Sequence, residues 1–138
     1  MKSRERTISI VLGLAGTTFA LVGLSHLTVP ERMLAPLGIA LTSPTALSEV
    51  RSGYGGLHLA LGIVFLGGIV SPRLRDLAML MLTAVIGGLA LGRLLSLVID
   101  GAPELMGWAL LILESFGAVA LAALALPRWT ARAQVRRR

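Results

Sequence analysis

The feature that most constrains this chain is the spacing of its charges. Apolar runs of roughly twenty residues or more follow one another from Thr7 to Leu126, and nearly every Lys and Arg falls in the seams between them or at the two ends. A helix rises about 1.5 Å per residue, so ~20 apolar residues cover the ~30 Å of a bilayer's hydrocarbon. The runs predict helices over residues 7–29, 47–70, 75–99 and 104–126, an all-α four-helix transmembrane bundle. With 55% of its 138 residues hydrophobic, only 14% charged and a mean hydropathy of +0.83, the chain carries more apolar surface than one small water-soluble core can hide. It reads as a single integral membrane domain, residues 1–138, whose residues 127–138 form a basic tail.

The seams are marked by helix breakers and caps. Pro30-Glu31-Arg32-Met33-Leu34-Ala35-Pro36-Leu37-Gly38 mixes charge with apolar residues between two prolines, and its residues 31–38 read as a short interfacial segment on the membrane surface. Ser43-Pro44 is an N-cap and first-turn pair for the second helix, and Ser71-Pro72 repeats it before the third. Asp100-Gly101-Ala102-Pro103 is a tight turn that makes a hairpin of the third and fourth spans.

Orientation follows from the basic residues. Lys2, Arg4 and Arg6 precede the first span, Arg73 and Arg75 lie in the second connection, and five arginines follow Pro127, against Arg32 alone in the remaining two connections. Ten against one by the positive-inside rule puts both termini in the cytoplasm, and if the host is a bacterium the membrane is its inner membrane. The basic start followed by an apolar run is too long for a signal peptide and lacks a clear cleavage site, so it is expected to be a retained helix.

Several function classes fall away. The chain has no cysteine, which removes disulfides, thiolate catalysis and sulfur-ligated metals. A net charge of +6 built from helix-flanking residues is a topology signal rather than a nucleic-acid surface. Gly53, Gly55 and Gly56 lie inside a span, not in a phosphate-binding loop between a strand and a helix. Met79, Met81 and Met106 read as gap-filling packing residues. Arg128 and Trp129, followed by Arg132 and Arg136 to Arg138, combine an interfacial ring with arginines worth about 1 kcal/mol each against anionic lipid head groups, and anchor the tail to the inner leaflet.

Small residues recur at helical spacing: Gly13, Gly16, Ala20 and Gly23 in the first span, Gly56 and Ala60 in the second, Gly88 and Gly92 in the third. Such stripes let backbones approach closely where lipid competes for apolar surface, either within one bundle or between copies of the chain.

Ionisable groups inside the spans are the informative anomaly, because each costs about 2.5–3.5 kcal/mol near the bilayer centre. Counted from the helix ends at 1.5 Å per residue, Arg93 lies ~9 Å and Glu114 ~15 Å below the outer boundary, within reach of one another. Arg51, Tyr54, His58 and Gly62 share a face of the second span, and Arg93, Ser96 and Asp100 a face of the third. The outer half of the bundle is thus expected to gather Glu49, Arg51, Tyr54, His58, Arg93, Asp100 and Glu114 into one polar cluster. Two roles fit it: ion pairs that fix helix order, Arg93 with Glu114 and Arg51 with Glu49 or Asp100, or a pocket for an anionic or amphiphilic ligand. His58 taken alone fits a hydrogen-bonded structural histidine. Bis-His haem ligation by His26 and His58 is excluded on this reading by a depth mismatch of ~12 Å between them. The inner half has no acidic or histidine relay to complete a proton path, which disfavours a proton-coupled transporter. No cofactor or metal site is expected.

The segment from Ala46 to Gly62, which contains Glu49-Val50-Arg51-Ser52-Gly53-Tyr54-Gly55-Gly56-Leu57, and the segment Gly87-Gly88-Leu89-Ala90-Leu91-Gly92-Arg93 resemble a family of small bacterial membrane proteins known only as a domain of unknown function, with E-x-R-x-x-Y-G-G-L and G-G-L-x-L-G-R motifs. The likeness covers about residues 8–125, and the chain is also similar in outline to the four-helix DoxX-like proteins. The resemblance implies the fold and topology and points to Glu49, Arg51, Tyr54 and Arg93; it supplies no substrate. The expectation is a non-enzymatic accessory or assembly subunit of a membrane complex, in contact with the bilayer and with a larger assembly or further copies of itself. The alternative is a binding protein or small enzyme for a lipophilic or amphiphilic molecule in the outer half.

Overall fold

A computed structural model describes the backbone over residues 2–136 and the side chains over residues 3–125. Every element among the described residues is helical: α1 (Lys2–Thr28), α2 (Pro30–Leu34) with a 3-10 turn (Ala35–Leu37), α3 (Pro44–Val50) continued by a π-helical turn (Arg51–Gly56) into α4 (Leu57–Val70), α5 (Pro72–Ile99) and α6 (Leu105–Arg136). Four stretches, Ser3–Thr28, Pro44–Val70, Pro72–Ile99 and Leu105–Ala125, are long and apolar enough to cross a membrane. The all-α, multi-pass reading of the sequence therefore holds.

The differences lie at the boundaries. The second span starts earlier than its apolar run because capping, not hydropathy, sets its first turn. The Ser43 hydroxyl accepts from the Ala46 N–H at 3.1 Å, with Pro44 at the first helical position, so the second span begins at Pro44 rather than 47. Pro127 does not end α6, whose backbone runs on to Arg136. The side chains of the basic segment from Arg128 lie outside the described residues. The connection at 31–38 is a short helix and 3-10 turn closed by Gly38 at φ +69, a left-handed conformation that glycine adopts without strain. Pro30 and Leu34 are buried, so this segment is held down by packing.

By backbone contact the chain divides into two units, Met1–Ala78 and Met79–Arg138. In the first, α1 and α4 approach closely enough to exclude side chains. A Cβ on Gly62 would stand 2.7 Å from the Ala20 N and 2.8 Å from the Gly16 carbonyl oxygen, and one on Gly23 would overlap the Leu59 backbone. Gly16 and Gly23 of the predicted stripe thus pack within the unit. Their counterparts on the facing helix are Gly55 and Gly62, not the Gly56 and Ala60 pair, because a Cβ on Gly56 would meet only the Arg51 carbonyl of its own helix. Ile8, Leu12 and Phe65 are fully buried around this contact. Lipid would solvate such side chains almost as well, so the close contact owes more to backbone proximity and dispersion than to apolar burial.

A seam of charge fastens the opposite end of this unit. Arg75 at the start of α5 donates through Nε to the Gly68 carbonyl at 3.1 Å and through Nη2 to the Ile69 carbonyl at 2.9 Å, two acceptors that the end of α4 leaves without helical partners. Its Nη1 binds the Glu5 carboxylate on α1 at 2.9 Å. A residue read from sequence only as a topology signal is thus a structural clamp across α1, α4 and α5.

In the second unit, α5 from Met79 onward and α6 form the expected hairpin. Gly101 at φ +95 reverses the chain, and Asp100 receives the Ser96 hydroxyl at 2.6 Å just before the turn. The helices stand apart at the backbone, and side chains span the gap. A Cβ on Gly88 or Gly92 would meet nothing within 4 Å among the described residues.

Candidate functional site

The seven residues singled out from sequence divide between the two units: Glu49, Arg51, Tyr54 and His58 in the first, Arg93, Asp100 and Glu114 in the second. Each group has its own geometry.

In the second unit, Arg93 on α5 and Glu114 on α6 make a two-pronged ion pair, Nε to Oε2 at 2.7 Å and Nη2 to Oε1 at 3.1 Å. The planar guanidinium matches both carboxylate oxygens at once, which fixes direction as well as distance. Glu114 is buried, with its side chain 10% exposed against 34% for Arg93. The pair thus joins the two arms of the hairpin. Beside it opens a cleft of about 280 Å³ lined by Arg93, Ser96, Leu97, Pro103 and Leu111, with Gly92, Gly101 and Gly107 in its walls. Arg93 spends Nε and Nη2 on Glu114 and is itself one of the residues that line this cleft.

In the first unit, Arg51, Tyr54, His58 and Gly62 all turn toward α1. The Arg51 Nε donates to the Leu27 carbonyl at 3.1 Å, a backbone acceptor near the end of α1. That carbonyl lies in the last turn of a helix, where acceptors are unspent and positive charge is favoured. Glu49 is exposed on α3. Tyr54 and His58, one turn apart, hold their rings 7° from parallel with centroids 6.2 Å apart. Across from them His26 lies 5.5 Å from Tyr54 and 6.3 Å from His58, and Phe19 stacks on His58 at 5.2 Å.

The proximity of His26 and His58 overturns the ~12 Å depth mismatch derived from the residue count. Two physical reasons account for it. The helix ends are not level, since Arg51 already reaches Leu27 and α3 therefore extends past the end of α1. Side chains also lean toward the N-terminus of their own helix, so on antiparallel helices the two rings lean toward one another. His26 and Phe19 are the members of this cluster that sequence reasoning missed. The pattern Phe19, Val22, Gly23, His26 at helical spacing is the signal that could have found them.

The His26 ring is buried, and its Nδ1 lies 2.8 Å from the Val22 carbonyl. A carbonyl only accepts, so Nδ1 carries the proton and Nε2 keeps its lone pair. His58 Nδ1 is buried beside the Tyr54 backbone one turn earlier on the same helix. No group of three or more His, Asp or Glu side chains converges among the described residues. The cluster sits beside the π-helical turn Arg51–Gly56, a rare geometry in which one extra residue is accommodated, found often at functional sites.

No curated protein matches the chain, and no solved structure does. The family model described as Domain of unknown function (DUF4345) matches residues 7–125, which include every residue of both groups, and the chain belongs to that family.

Proposed function

We propose that this is a multi-pass protein of the bacterial inner membrane, with both termini in the cytoplasm, that works as a non-enzymatic accessory or assembly subunit of a membrane complex. The observation that carries this reading is where the charge within the spans is spent. Arg93 and Glu114 close on one another with both carboxylate oxygens engaged, and Arg75 is spent on Glu5 and the end of α4. Residues committed in this way hold helices together, and what they leave on the outside is apolar: Leu113, Phe116 and Val119, spaced three apart on α6, are 69%, 74% and 71% exposed. Such a stripe suits a neighbouring transmembrane helix as well as it suits lipid. The distribution of Lys and Arg supports the orientation.

A second reading rests on the cleft beside Arg93. A volume of about 280 Å³ lined by Arg93 and Ser96 together with Leu97, Pro103 and Leu111 suits the polar head of an amphiphile entering from the outer leaflet. Native mass spectrometry of the tagged chain, solubilised mildly from its own membranes, separates the two. A defined assembly heavier than one chain supports the subunit. A single chain that retains one amphiphile per copy, and loses it with Arg93→Ala, supports the binding protein instead.

A further inference from the structure

We infer that the cleft beside Arg93 takes the head group of a phosphoethanolamine lipid, phosphate on Arg93 and ammonium toward Ser96 and Asp100, which rests on the binding reading of that cleft and names its ligand. The charges around the cleft set the requirement. Arg93 and Glu114 cancel in their two-pronged pair, and Asp100 beyond them adds a negative charge. A purely anionic head would bring a second uncompensated negative charge to a place where water is scarce, and a purely cationic head would face the guanidinium. A head that carries both signs, in the matching order, avoids both costs.

The donors and acceptors along α5 supply that order. A guanidinium has five N–H donors and the two bonds to Glu114 use two, so three remain on a residue that lines the cleft. Phosphate is a group that its planar fork recognises well. Ser96, also in the lining, gives its one hydroxyl proton to the Asp100 carboxylate at 2.6 Å, so toward a ligand its oxygen only accepts. Donors thus stand at Arg93 and an acceptor at Ser96, three residues or ~4.5 Å nearer the turn, a rise that the two-carbon link between phosphate and ammonium can bridge. Asp100 and the exposed Glu104, on either side of the Gly101 turn, continue the acceptors outward. A primary ammonium can donate to them, whereas the quaternary ammonium of a choline head cannot.

The size of the cleft sets how much of a lipid enters. About 280 Å³ is the space of roughly nine waters at ~30 Å³ each, room for the head and the first carbons behind it but not for acyl chains. Gly92 keeps one wall low, since a Cβ there would meet nothing within 4 Å among the described residues. Leu97 and Leu111 give apolar lining beside the polar groups. Val98, Ile99 and Leu105 are exposed on the two arms next to the turn and offer the chains an apolar surface.

The test uses the full-length chain, delipidated in detergent and titrated by native mass spectrometry with phosphatidylethanolamine, phosphatidylglycerol and phosphatidylcholine of identical acyl chains, and separately with water-soluble phosphoethanolamine. The expected result is one phosphatidylethanolamine per chain, held about tenfold more tightly than either other lipid or the free head group. Gly92→Leu fills the cleft without touching the Arg93 and Glu114 pair and should weaken that binding about tenfold, and Asp100→Asn should raise phosphatidylglycerol to parity with phosphatidylethanolamine. Phosphatidylglycerol or phosphatidylcholine bound as tightly as phosphatidylethanolamine, and lost in Gly92→Leu, overturns the choice of head group and leaves the binding reading standing. Lipid binding that folded Gly92→Leu leaves unchanged for all three lipids overturns both. Free phosphoethanolamine bound as tightly as the lipid overturns the lipid as its source. Should Gly92→Leu fail to fold by circular dichroism, Asp100→Asn at the exposed turn decides, because an unchanged preference for phosphatidylethanolamine over phosphatidylglycerol refutes the inference.

Discussion

Removing Glu114 should damage this protein more than removing Arg93, although the two make the same bonds to each other. The reason lies in what each deletion leaves behind. Glu114→Ala strands a guanidinium that cannot shed its charge, ~9 Å below the end of α5. A charge near the bilayer centre costs about 2.5–3.5 kcal/mol on insertion scales, and snorkelling toward the interface returns part of it, so the loss should be about 2–3 kcal/mol. That is roughly a 30- to 150-fold shift in the folding equilibrium. Arg93→Ala leaves the more buried partner, a carboxyl that can take up a proton and become neutral, so its loss should be smaller by about 1 kcal/mol. The exchanged pair, Arg93→Glu with Glu114→Arg, should recover at least half of the Glu114→Ala loss, because the two-pronged geometry is available in either direction. Reversible unfolding in bicelles, followed by steric trapping, measures all four. If Arg93→Ala costs as much as Glu114→Ala, the stranded charge is not what sets the loss; if both stay within about 0.5 kcal/mol of the wild type, the pair is not what holds the hairpin.

Other expectations are checked in the same assay or beside it. Gly62→Val places a Cβ 2.7 Å from the Ala20 N, where backbone faces backbone, and should destabilise by about 1–3 kcal/mol, whereas Gly92→Ala meets nothing and should be neutral or slightly stabilising through helix propensity. Arg75→Ala removes the donors to the carbonyls of Gly68 and Ile69 and one partner of the Glu5 carboxylate, and should cost about 1–3 kcal/mol with faster hydrogen exchange at the end of α4. Single cysteines placed at Ser43 and Ser71 should react with an impermeant thiol reagent only at position 43 in intact cells; labelling at 71 would reverse the assigned orientation.

Much of this was legible in the sequence because the bilayer enforces it. Unsatisfied backbone is intolerable in hydrocarbon, so apolar runs of this length have to be helices, and Ser43-Pro44 and Gly101 mark their ends by chemistry local to a few residues. Arg93 and Glu114 could be paired by counting, because a tight turn fixes the register of a hairpin. The same counting failed for His26 and His58, since those helices are joined by a longer connection and their ends are not level. Arg75 was hidden for another reason. Its charge signals topology so strongly that its fit to the end of α4 leaves no separate trace in the sequence. The π-helical turn at Arg51–Gly56 likewise has no simple signature, for the glycines that permit it also permit an ordinary helix.

The subunit reading is tested most directly by photocrosslinking in living cells. A photoreactive residue placed in turn at positions 113, 116 and 119 reports what covers the exposed stripe of α6. The reading predicts a discrete polypeptide adduct from these positions and weaker or no adduct from Leu111, which is buried. Adducts to lipid alone from all three positions would contradict it.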